Sequence, residues 1–376
     1  MDEVLGLRPG QRLSWVLEAL SALCGASWKY EESEYIMQKL LGRSVSHETI
    51  FDKTTEVGKE ASKESEGSKI KELEDDKKRQ GDYFDHMEVW EDPPERIYMD
   101  MDGVMINSRD GTKRMEGKVA IVWSERELVK EDTYSLIDKR SMGSFTDSER
   151  FYRDVTVELC KRSGGKMDDV QSLVPRVRED GDGAPFIHGF RGKYAPKSRY
   201  LLDYYHLCEK VKERLSPVFG DKEQKTMLEF LNSDDVDGAL EYIQKLLKRF
   251  RQKRKLYHLE KLAGYIQRNR EGIWYKEATE KGISIGAGSA DKAGDILICR
   301  RMKLRGMRWS RIGADAEVSA YWYATRNGMI SGASTKLHET ISRTEILCLE
   351  QSSKVVIRAK SRGVKFNAPT TKWFSR

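Results

Sequence analysis

The stretch IYMDMDGVMI, residues 97–106, constrains the fold of this chain more than any other. Apolar side chains surround Asp100 and Asp102, and Gly103 follows the second aspartate. A short apolar run bounded by turn residues predicts a buried β-strand. Helical patterns dominate the residues before it, so the sheet begins well inside the chain. The sequence therefore predicts an α/β protein in which carboxylates lie on a buried strand.

Two kinds of phosphate chemistry fit an Asp-x-Asp-Gly stretch that follows a strand. It resembles the opening motif of haloacid-dehalogenase-type phosphatases, in which the first Asp attacks phosphorus. It also suits the first strand of a ribonuclease-H-like fold, in which one carboxylate binds a catalytic metal ion. The phosphatase interpretation requires a later strand that ends in a paired-acid Gly-Asp motif. The nearest candidate, FGDKEQK at 219–225, lies in helical sequence.

Charge is distributed unevenly along the chain, whose net charge is only +6. Residues 245–261 hold eight basic residues and one acid, residues 300–311 hold six and none, and residues 352–376 hold seven and none. A single basic run is often a solvated helix face. Three such runs with interleaved aromatic residues favour a polyanionic partner.

Cysteine usage and hydropathy bear on the compartment. The five cysteines are scattered and form no CxxC pair, which favours a reducing environment and disfavours a zinc ribbon. No apolar run approaches the roughly 20 residues of a membrane helix, and the first residues do not resemble a signal peptide. We therefore expect a cytoplasmic protein with no membrane partner.

Carboxylates from distant segments supply the expected chemistry. Asp102 ends the strand-like run, Asp182 lies in REDGDGAPFI, and Asp291 lies at the predicted start of a helix in GSADKAG. Mg²⁺ prefers hard oxygen ligands, and two such ions can assist both oxygens of a phosphodiester displacement. An isolated Asp-Gly is usually only a turn, so the prediction depends on the three acids together.

Four stretches give the chain a family resemblance: IYMDMDGVMI, GDGAPFIHG, LLDYYHLCE and GSADKAGDILICRRMKLRGMRWS. In these stretches it resembles DDE transposases of bacterial and archaeal insertion sequences, the ISLre- and ISKra-type groups related to Mutator-like elements. The resemblance implies that Asp102, Asp182 and Asp291 are catalytic and hold two Mg²⁺ ions, for which Mn²⁺ can substitute. Asp100 is the less favoured choice for the first acid. The resemblance also matches Asp203 and His206 to an acid and a histidine of related groups.

The chain departs from the family at the third acid, which is normally Glu. Asp291 is one methylene shorter, so its carboxylate would lie about 1.5 Å farther from the metal ions. A misplacement of this size can reduce the rate on the order of 100-fold. Asp295, four residues later, is a possible substitute. A decayed or domesticated transposase that only binds DNA is therefore the alternative.

The resemblance implies an insertion-sequence transposase that cleaves and transfers DNA strands. Its partners would be double-stranded DNA, as terminal inverted repeats and as target, together with further copies of itself as a homo-oligomer. A helix-turn-helix within the first 58 residues would read DNA, although a plain three-helix bundle fits the same pattern. The predicted DNA-binding residues are Ser46, His47, Thr49, His206, Arg300, Arg301, Lys303, Arg305 and Trp309.

These inferences combine into a predicted organisation, an α/β protein with a ribonuclease-H-like core of mixed sheet and flanking helices. An α-helical insertion would interrupt this core, and an N-terminal helical DNA-binding region would precede it. The predicted segments are a helix-turn-helix-like region at 1–58, a charged linker at 59–94, the first part of the core at 95–208, a helical insertion at 209–281, the last part of the core at 282–330 and a basic tail at 331–376.

Overall fold

The structure of the protein is a computed structural model that describes residues 13–42, 44–73, 77–130, 133–146, 148–165, 177–181, 184–196, 198–286 and 288–325. The described residues from Ser21 to Trp322 form one compact unit, and residues 13–20 and 323–325 belong to a second unit. Over the described ranges, no helix combines the length and the apolar character that crossing a membrane requires. The predicted tail at 331–376 lies outside them.

Helices make up most of the region before the first strand. Ser46 precedes the third helix and caps it, because its hydroxyl accepts a hydrogen bond from the Thr49 N–H. Gly42 follows the second helix with a φ of 65°, a left-handed conformation that glycine adopts easily. The bounds are α1 Trp15–Ser27, α2 Tyr30–Leu41, α3 His47–Lys63, α4 Glu66–Leu73 and α5 Lys77–Asp85.

Helices α3 and α4 pack closely against the rest of the compact unit. A Cβ atom at Gly58 would lie 1.9 Å from the carbonyl oxygen of Ala316, and one at Gly67 would lie 2.5 Å from that of Arg150. Ile70 of α4 is fully buried. The stretch 59–94, predicted as a charged linker, therefore contains packed helix. The prediction was based on the small number of apolar residues in this stretch. It did not take into account that glycine, which has no side chain, lets helices approach closely.

A mixed sheet forms the centre of the unit. Its strands are β1 (Ile97–Asn107), β2 (Arg114–Trp123), β5 (Arg140–Ser144), β6 (Val177–Gly181) and β7 (Arg199–Leu202). Among the described residues their order is β5-β2-β1-β6-β7. The pairs β1–β2 and β2–β5 are antiparallel, whereas β1–β6 and β6–β7 are parallel. The predicted mixed α/β class is thus confirmed.

A hairpin of two further strands, β3 (Glu125–Lys130) and β4 (Thr133–Ile137), forms its own small sheet. The stretch YSLIDKRSM, residues 134–142, is divided into β4 and β5 at Asp138, whose φ of 49° turns the chain. Aspartate tolerates this left-handed conformation better than most residues.

The two faces of β1 contact different cores, since side chains alternate along a strand. Ile97, Met99 and Met101 belong to one core, with helices α6 (Ser148–Ser163) and α7 (Pro185–Tyr194). Val104 and Ile106 belong to the other. Asp100 and Asp102 precede Val104 by four and two positions along the strand, so their side chains lie on this second face.

A helical block follows β7 and precedes the helices of the second face. Its helices are α8 (Tyr204–Leu215), α9 (Asp221–Asn232), α10 (Val236–Arg249), α11 (Lys253–Arg268) and α12 (Tyr275–Glu280). The second face is covered by α13 (Gly288–Gly294), a π-helical turn (Asp295–Cys299), α14 (Arg300–Met302) and α15 (Arg311–Thr325). The helical stretch predicted at 209–281 thus begins slightly earlier, at Tyr204.

Candidate functional site at the ends of the parallel strands

Strands β6 and β7 end at the same edge of the sheet, beside the middle of β1. Met101 of β1 pairs with Gly181 of β6, which pairs with Leu202 of β7. Neighbouring strands lie about 4.8 Å apart, so the three residues form one row across the sheet. The residues that follow them in the chain are Asp102, Asp182 and Asp203. Of these, Asp182 lies outside the described residues.

The two acids of β1 differ in their surroundings. Asp100 is 1% exposed, and its Oδ2 accepts a hydrogen bond from the Ser289 hydroxyl. Asp102 is half-buried, and its Oδ1 accepts a 2.7 Å hydrogen bond from the Gly103 N–H. Asp100 is thus held within the protein by helix α13, whereas Asp102 is closer to solvent.

Helix α13 brings Asp291 to the same face of the sheet. Ser289 contacts Asp100, and a Cβ atom at Gly294 would lie 2.8 Å from Cγ2 of Val104. Asp291 lies between these two contacts along the helix, and Asp102 lies between them along the strand. The side chain of Asp291 is exposed.

Asp203 connects β7 to the helical block. It is the N-cap of α8, and its Oδ1 accepts hydrogen bonds from the His206 N–H at 2.7 Å. The imidazole Nδ1 of His206 lies 3.1 Å from the same oxygen. A Cβ atom at Gly286 would lie 3.7 Å from Oδ2 of Asp203. The backbone before α13 therefore passes directly beside this carboxylate.

Two cavities adjoin these acids. A cavity of about 570 Å³ is lined by Asp203, His206, Glu209 and Asp291. A second, of about 640 Å³, is lined by Asp100 and Ser289 together with three basic residues, Arg126, Lys139 and Lys292. Ser284, Gly286 and Gly288 line both. Acids from β1, β7 and α13 thus surround one segment of backbone, with cations beside them.

Comparison with known proteins identifies the family. The model of UPF0236, an uncharacterised protein family, matches residues 1–336. The chain belongs to this family. It is similar to a protein of Streptococcus gallolyticus described as "UPF0236 protein in vanSb 3′ region". The two are 24% identical over 332 residues, which are 88% of this chain and 67% of that protein.

Two of the three predicted metal ligands of this UPF0236 member lie within the described residues. Asp102 and Asp291 lie on the same face of the sheet, but Asp182 is outside the described ranges. Within those ranges, no group of three or more His, Cys, Asp or Glu residues has the geometry of a metal site. The donors themselves are carboxylate oxygens, the ligands that Mg²⁺ prefers. The chemistry of the set therefore fits this ion.

Asp295, the possible substitute for Asp291, has other partners in this UPF0236 member. It accepts a 2.9 Å hydrogen bond from the Nε of Arg300, which is the main reason that its pKa is lowered. Lys292 also lies 3.5 Å away. Asp295 is thus an ionised acid that is already paired with cations, and Asp291 remains the better candidate.

The structure corrects two of the predicted DNA-binding residues. Arg301 is 3% exposed, and its Nε lies 2.8 Å from Oε1 of Glu317 and donates to the Gly25 carbonyl oxygen at 2.9 Å. Trp309 is also buried, and its backbone pairs with Asn107. Because both side chains are packed inside the unit, they stabilise it and do not present a surface to DNA. Composition alone did not distinguish these residues from exposed cations.

The other predicted cations of that run are accessible. Lys303 and Arg305 are exposed, and so is Arg300, although it pairs with Asp295. His206 lines the 570 Å³ cavity, where its contact with Asp203 orients the ring. These four residues keep positions compatible with contacts to phosphate.

The N-terminal positions fit a DNA-reading role less well. Ser46 and Thr49 are engaged in capping α3, and His47 contacts Glu34 through both its N–H and its Nδ1. The α3 sequence contains four acids and three lysines. DNA-binding surfaces are normally basic, so α3 matches the alternative of an ordinary packed helix better than a recognition helix.

Sequence reasoning missed three residues beside the acids. Ser289 binds Asp100, Glu209 lines the cavity of Asp203, and Lys292 lines the cavity of Asp100. For two of them a signal existed, because Ser289 and Lys292 flank Asp291 in GSADKAG. Glu209 lies on α8, and only the fold of the helical block brings it near the acids.

Proposed function

We propose that this protein is an insertion-sequence transposase that cleaves and transfers DNA strands, with Asp102, Asp182 and Asp291 as its catalytic acids. The observation that carries the proposal is the row Met101–Gly181–Leu202, whose members are directly followed by Asp102, Asp182 and Asp203, together with the helix α13, which packs on β1 and carries Asp291. Carboxylates from several strands and one helix are what metal-dependent phosphodiester chemistry needs.

The topology supports a ribonuclease-H-like core for this function. Three antiparallel strands are followed by two strands parallel to the first, with helices on both faces. Asp291 comes from a helix that packs on β1, and a helical block separates this helix from the last strand. Such a block can be inserted without disturbing the sheet, because it leaves after β7 and returns before α13.

The residues of the chain suggest how the reaction would proceed. Mg²⁺ held by the three acids would supply the positive charge that offsets charge developing on the phosphate oxygens. Asp203 fixes the orientation of His206, and Ser289 fixes that of Asp100. Lys292 and His206 line the two cavities and are suited to contact phosphates. Water would attack phosphorus in line and displace the 3′-oxygen of the cleaved strand. The 3′-hydroxyl freed in this way would attack a phosphodiester of the target and displace its 3′-oxygen, without a covalent protein intermediate.

The phosphatase alternative has less support. Asp100, which would be its nucleophile, is buried and bound by Ser289. Residues 221–225, which would carry its second acidic motif, open helix α9 and do not follow a strand. Hydrolysis of a small phosphoester that depends on Asp100 would favour this alternative over ours.

A second candidate is a transposase-derived protein that binds DNA without cleaving it. It is favoured by the third acid, which is Asp291 in place of Glu. This candidate predicts binding of the same DNA with no strand cleavage in either Mg²⁺ or Mn²⁺.

The test uses the full chain and duplex DNA taken from both flanks of its gene. We expect Mg²⁺-dependent strand cleavage that falls by at least about 100-fold in Asp182→Asn and Asp291→Asn, while DNA binding is kept. Asp295→Asn is the matched control, since Asp295 is paired with Arg300, and it should cleave within a few-fold of the unchanged protein. Equal cleavage by Asp291→Asn would refute the assignment of this acid.

A further inference from the structure

A cluster of cations lies where α10 ends and α11 begins, in the helical block. We define the basic corner as Lys245, Lys248, Arg249, Arg251, Lys253 and Arg254. All six are exposed. Within the described residues, none of the six has a carboxylate within ion-pair distance.

The basic corner stands on a rigid base. Leu246 of α10 and Leu259 of α11 are buried in the core. Phe250, between the two helices, packs edge-on against Phe219 at 5.2 Å between ring centroids. The Lys255 ammonium lies 4.1 Å from the Phe250 ring centroid. The backbone that carries the cations is therefore fixed by packing, although the charged side chains themselves remain in solvent.

Stability alone does not explain this charge distribution. Between Gln244 and Leu259 the sequence contains no acid, so the cations from Lys248 to Arg254 repel one another with no acid among them. Lys253 and Arg254 occupy the first turn of α11, where positive charge opposes the helix dipole. Acids that belong to the neighbouring turns, such as Glu241 and Glu260, are themselves exposed. Lys248 and Arg249 suit the C-terminal end of α10, but the unfavourable position of Lys253 and Arg254 and the crowding of all six cations are explained if a polyanion neutralises them.

We infer that the basic corner binds the phosphate backbone of duplex DNA, at a surface separate from the carboxylates at the sheet edge. The chemistry favours phosphates over an acidic protein, because protein interfaces usually have an apolar centre. At the corner the exposed large apolar surface is confined, among the described residues, to Tyr257. The choice of DNA as the polyanion rests on the proposed function.

The basic corner would have a role separate from catalysis, which is to hold the DNA duplex. Phosphate contacts hold and orient a duplex but carry no base sequence information. The helical block follows Asp203 and ends shortly before Asp291, so it is tied at both ends to the candidate site. DNA held at the corner would therefore be held by an element that is anchored next to the acids.

The experiment measures equilibrium binding of a fluorescent 30-base-pair duplex in EDTA as a function of salt concentration. The corner variant carries Lys248→Gln, Arg251→Gln, Lys253→Gln and Arg254→Gln. The control variant removes the same charge from exposed lysines of α3 and α4, with Lys59→Gln, Lys63→Gln, Lys69→Gln and Lys71→Gln. Circular dichroism and thermal unfolding verify that both variants fold.

We expect the corner variant to bind about 10- to 100-fold more weakly near 100 mM salt. Its plot of log K against log salt should be shallower by about 3 to 4, since each lost phosphate contact lowers the slope by about 0.9. The control variant should change little. An unchanged slope, or an equal loss in both variants, would overturn the inference, because net charge alone would then account for binding.

The two proposals fail in different ways. Asp291→Asn should bind the duplex as the unchanged protein does. If the corner variant loses binding and no variant or condition gives cleavage, the corner stands and the catalytic assignment falls. If Asp291→Asn loses cleavage and the corner variant binds normally, the corner falls and the catalytic assignment stands.

Discussion

The two basic stretches at 245–261 and 300–311 are similar in composition and have different environments in the folded protein. In the first, none of the eight cations has an ion-pair partner among the described residues. In the second, Arg301 is buried against Glu317, Arg300 pairs with Asp295, and Arg311 donates to the Phe145 carbonyl oxygen. The first stretch is a surface, whereas part of the second is structural.

The two stretches differ in whether acidic side chains lie next to them in the folded protein. Glu317 comes from α15, and Tyr30 from α2 donates a 2.9 Å hydrogen bond to its Oε2. The guanidinium of Arg301 also lies 4.3 Å from the Tyr30 ring centroid. The partners of Arg301 are thus distant in sequence and become neighbours only on folding. A run of basic residues predicts an anionic ligand only after such partners within the folded protein have been excluded.

Replacing Arg301 should have the largest effect on stability. In Arg301→Met we expect a loss of about 3 to 5 kcal/mol, because Glu317 would remain buried without its partner. Urea unfolding measures this value. Arg305→Met, the same substitution at an exposed residue of the same stretch, should stay within about 0.5 kcal/mol.

The same pair offers a rescue. Replacing both partners, with Arg301→Met and Glu317→Met, should recover much of the loss, since no uncompensated charge then remains inside. If Arg301→Met is as stable as Arg305→Met, the buried pair contributes nothing and the structural distinction between the two stretches is lost.

The pH dependence of stability should reveal the buried acids next. Burial raises the pKa of Glu317 to about 7 and that of Asp154 to about 6, from ordinary values of 4.5 and 3.8. The folded state therefore binds more protons than the unfolded state between about pH 4 and 7. Stability should fall as pH rises through this window, by on the order of 3 kcal/mol for each acid, and level off above it.

Urea unfolding at a series of pH values tests this prediction. Glu317→Gln should remove the upper part of the dependence, from about pH 5 to 7, and leave the part due to Asp154. A profile that is unchanged by Glu317→Gln would mean that this carboxyl does not titrate in that window.

Much of the local structure was readable from the sequence. The strand through Asp102 and the helical stretch after β7 were both predicted. These features depend on patterns within a few residues, such as apolar runs bounded by turn residues and helical periodicity. The mixed α/β class followed from the order of these elements.

The candidate site was predictable only in part. The acids of β1 and α13 stood out because glycines and apolar runs flank them. The contact of Ser289 with Asp100 and the burial of Arg301 depend on partners far away in sequence. The packed helix in 59–94 was missed for the same reason, since Gly67 lies against the backbone of Arg150 across the fold. Local pattern does not encode such pairings.

The smallest predicted effect separates the two basic stretches most directly. In Lys253→Glu, an acid replaces a cation in the first turn of α11, so the helix dipole and the neighbouring cations both become favourable. We expect a gain of about 0.3 to 1 kcal/mol in unfolding free energy, measured by urea denaturation, together with weaker binding of duplex DNA. Lys245→Glu, in the second turn from the end of α10, is the control for removing a cation of the corner without the favourable dipole. If Lys253→Glu is less stable than the unchanged protein, Lys253 stabilises the fold, as Arg301 does. The proposal that the basic corner is a binding surface would then fail. A gain in stability paired with a loss in binding would show the reverse, because a residue that weakens its own helix and strengthens contact with DNA is explained by the ligand.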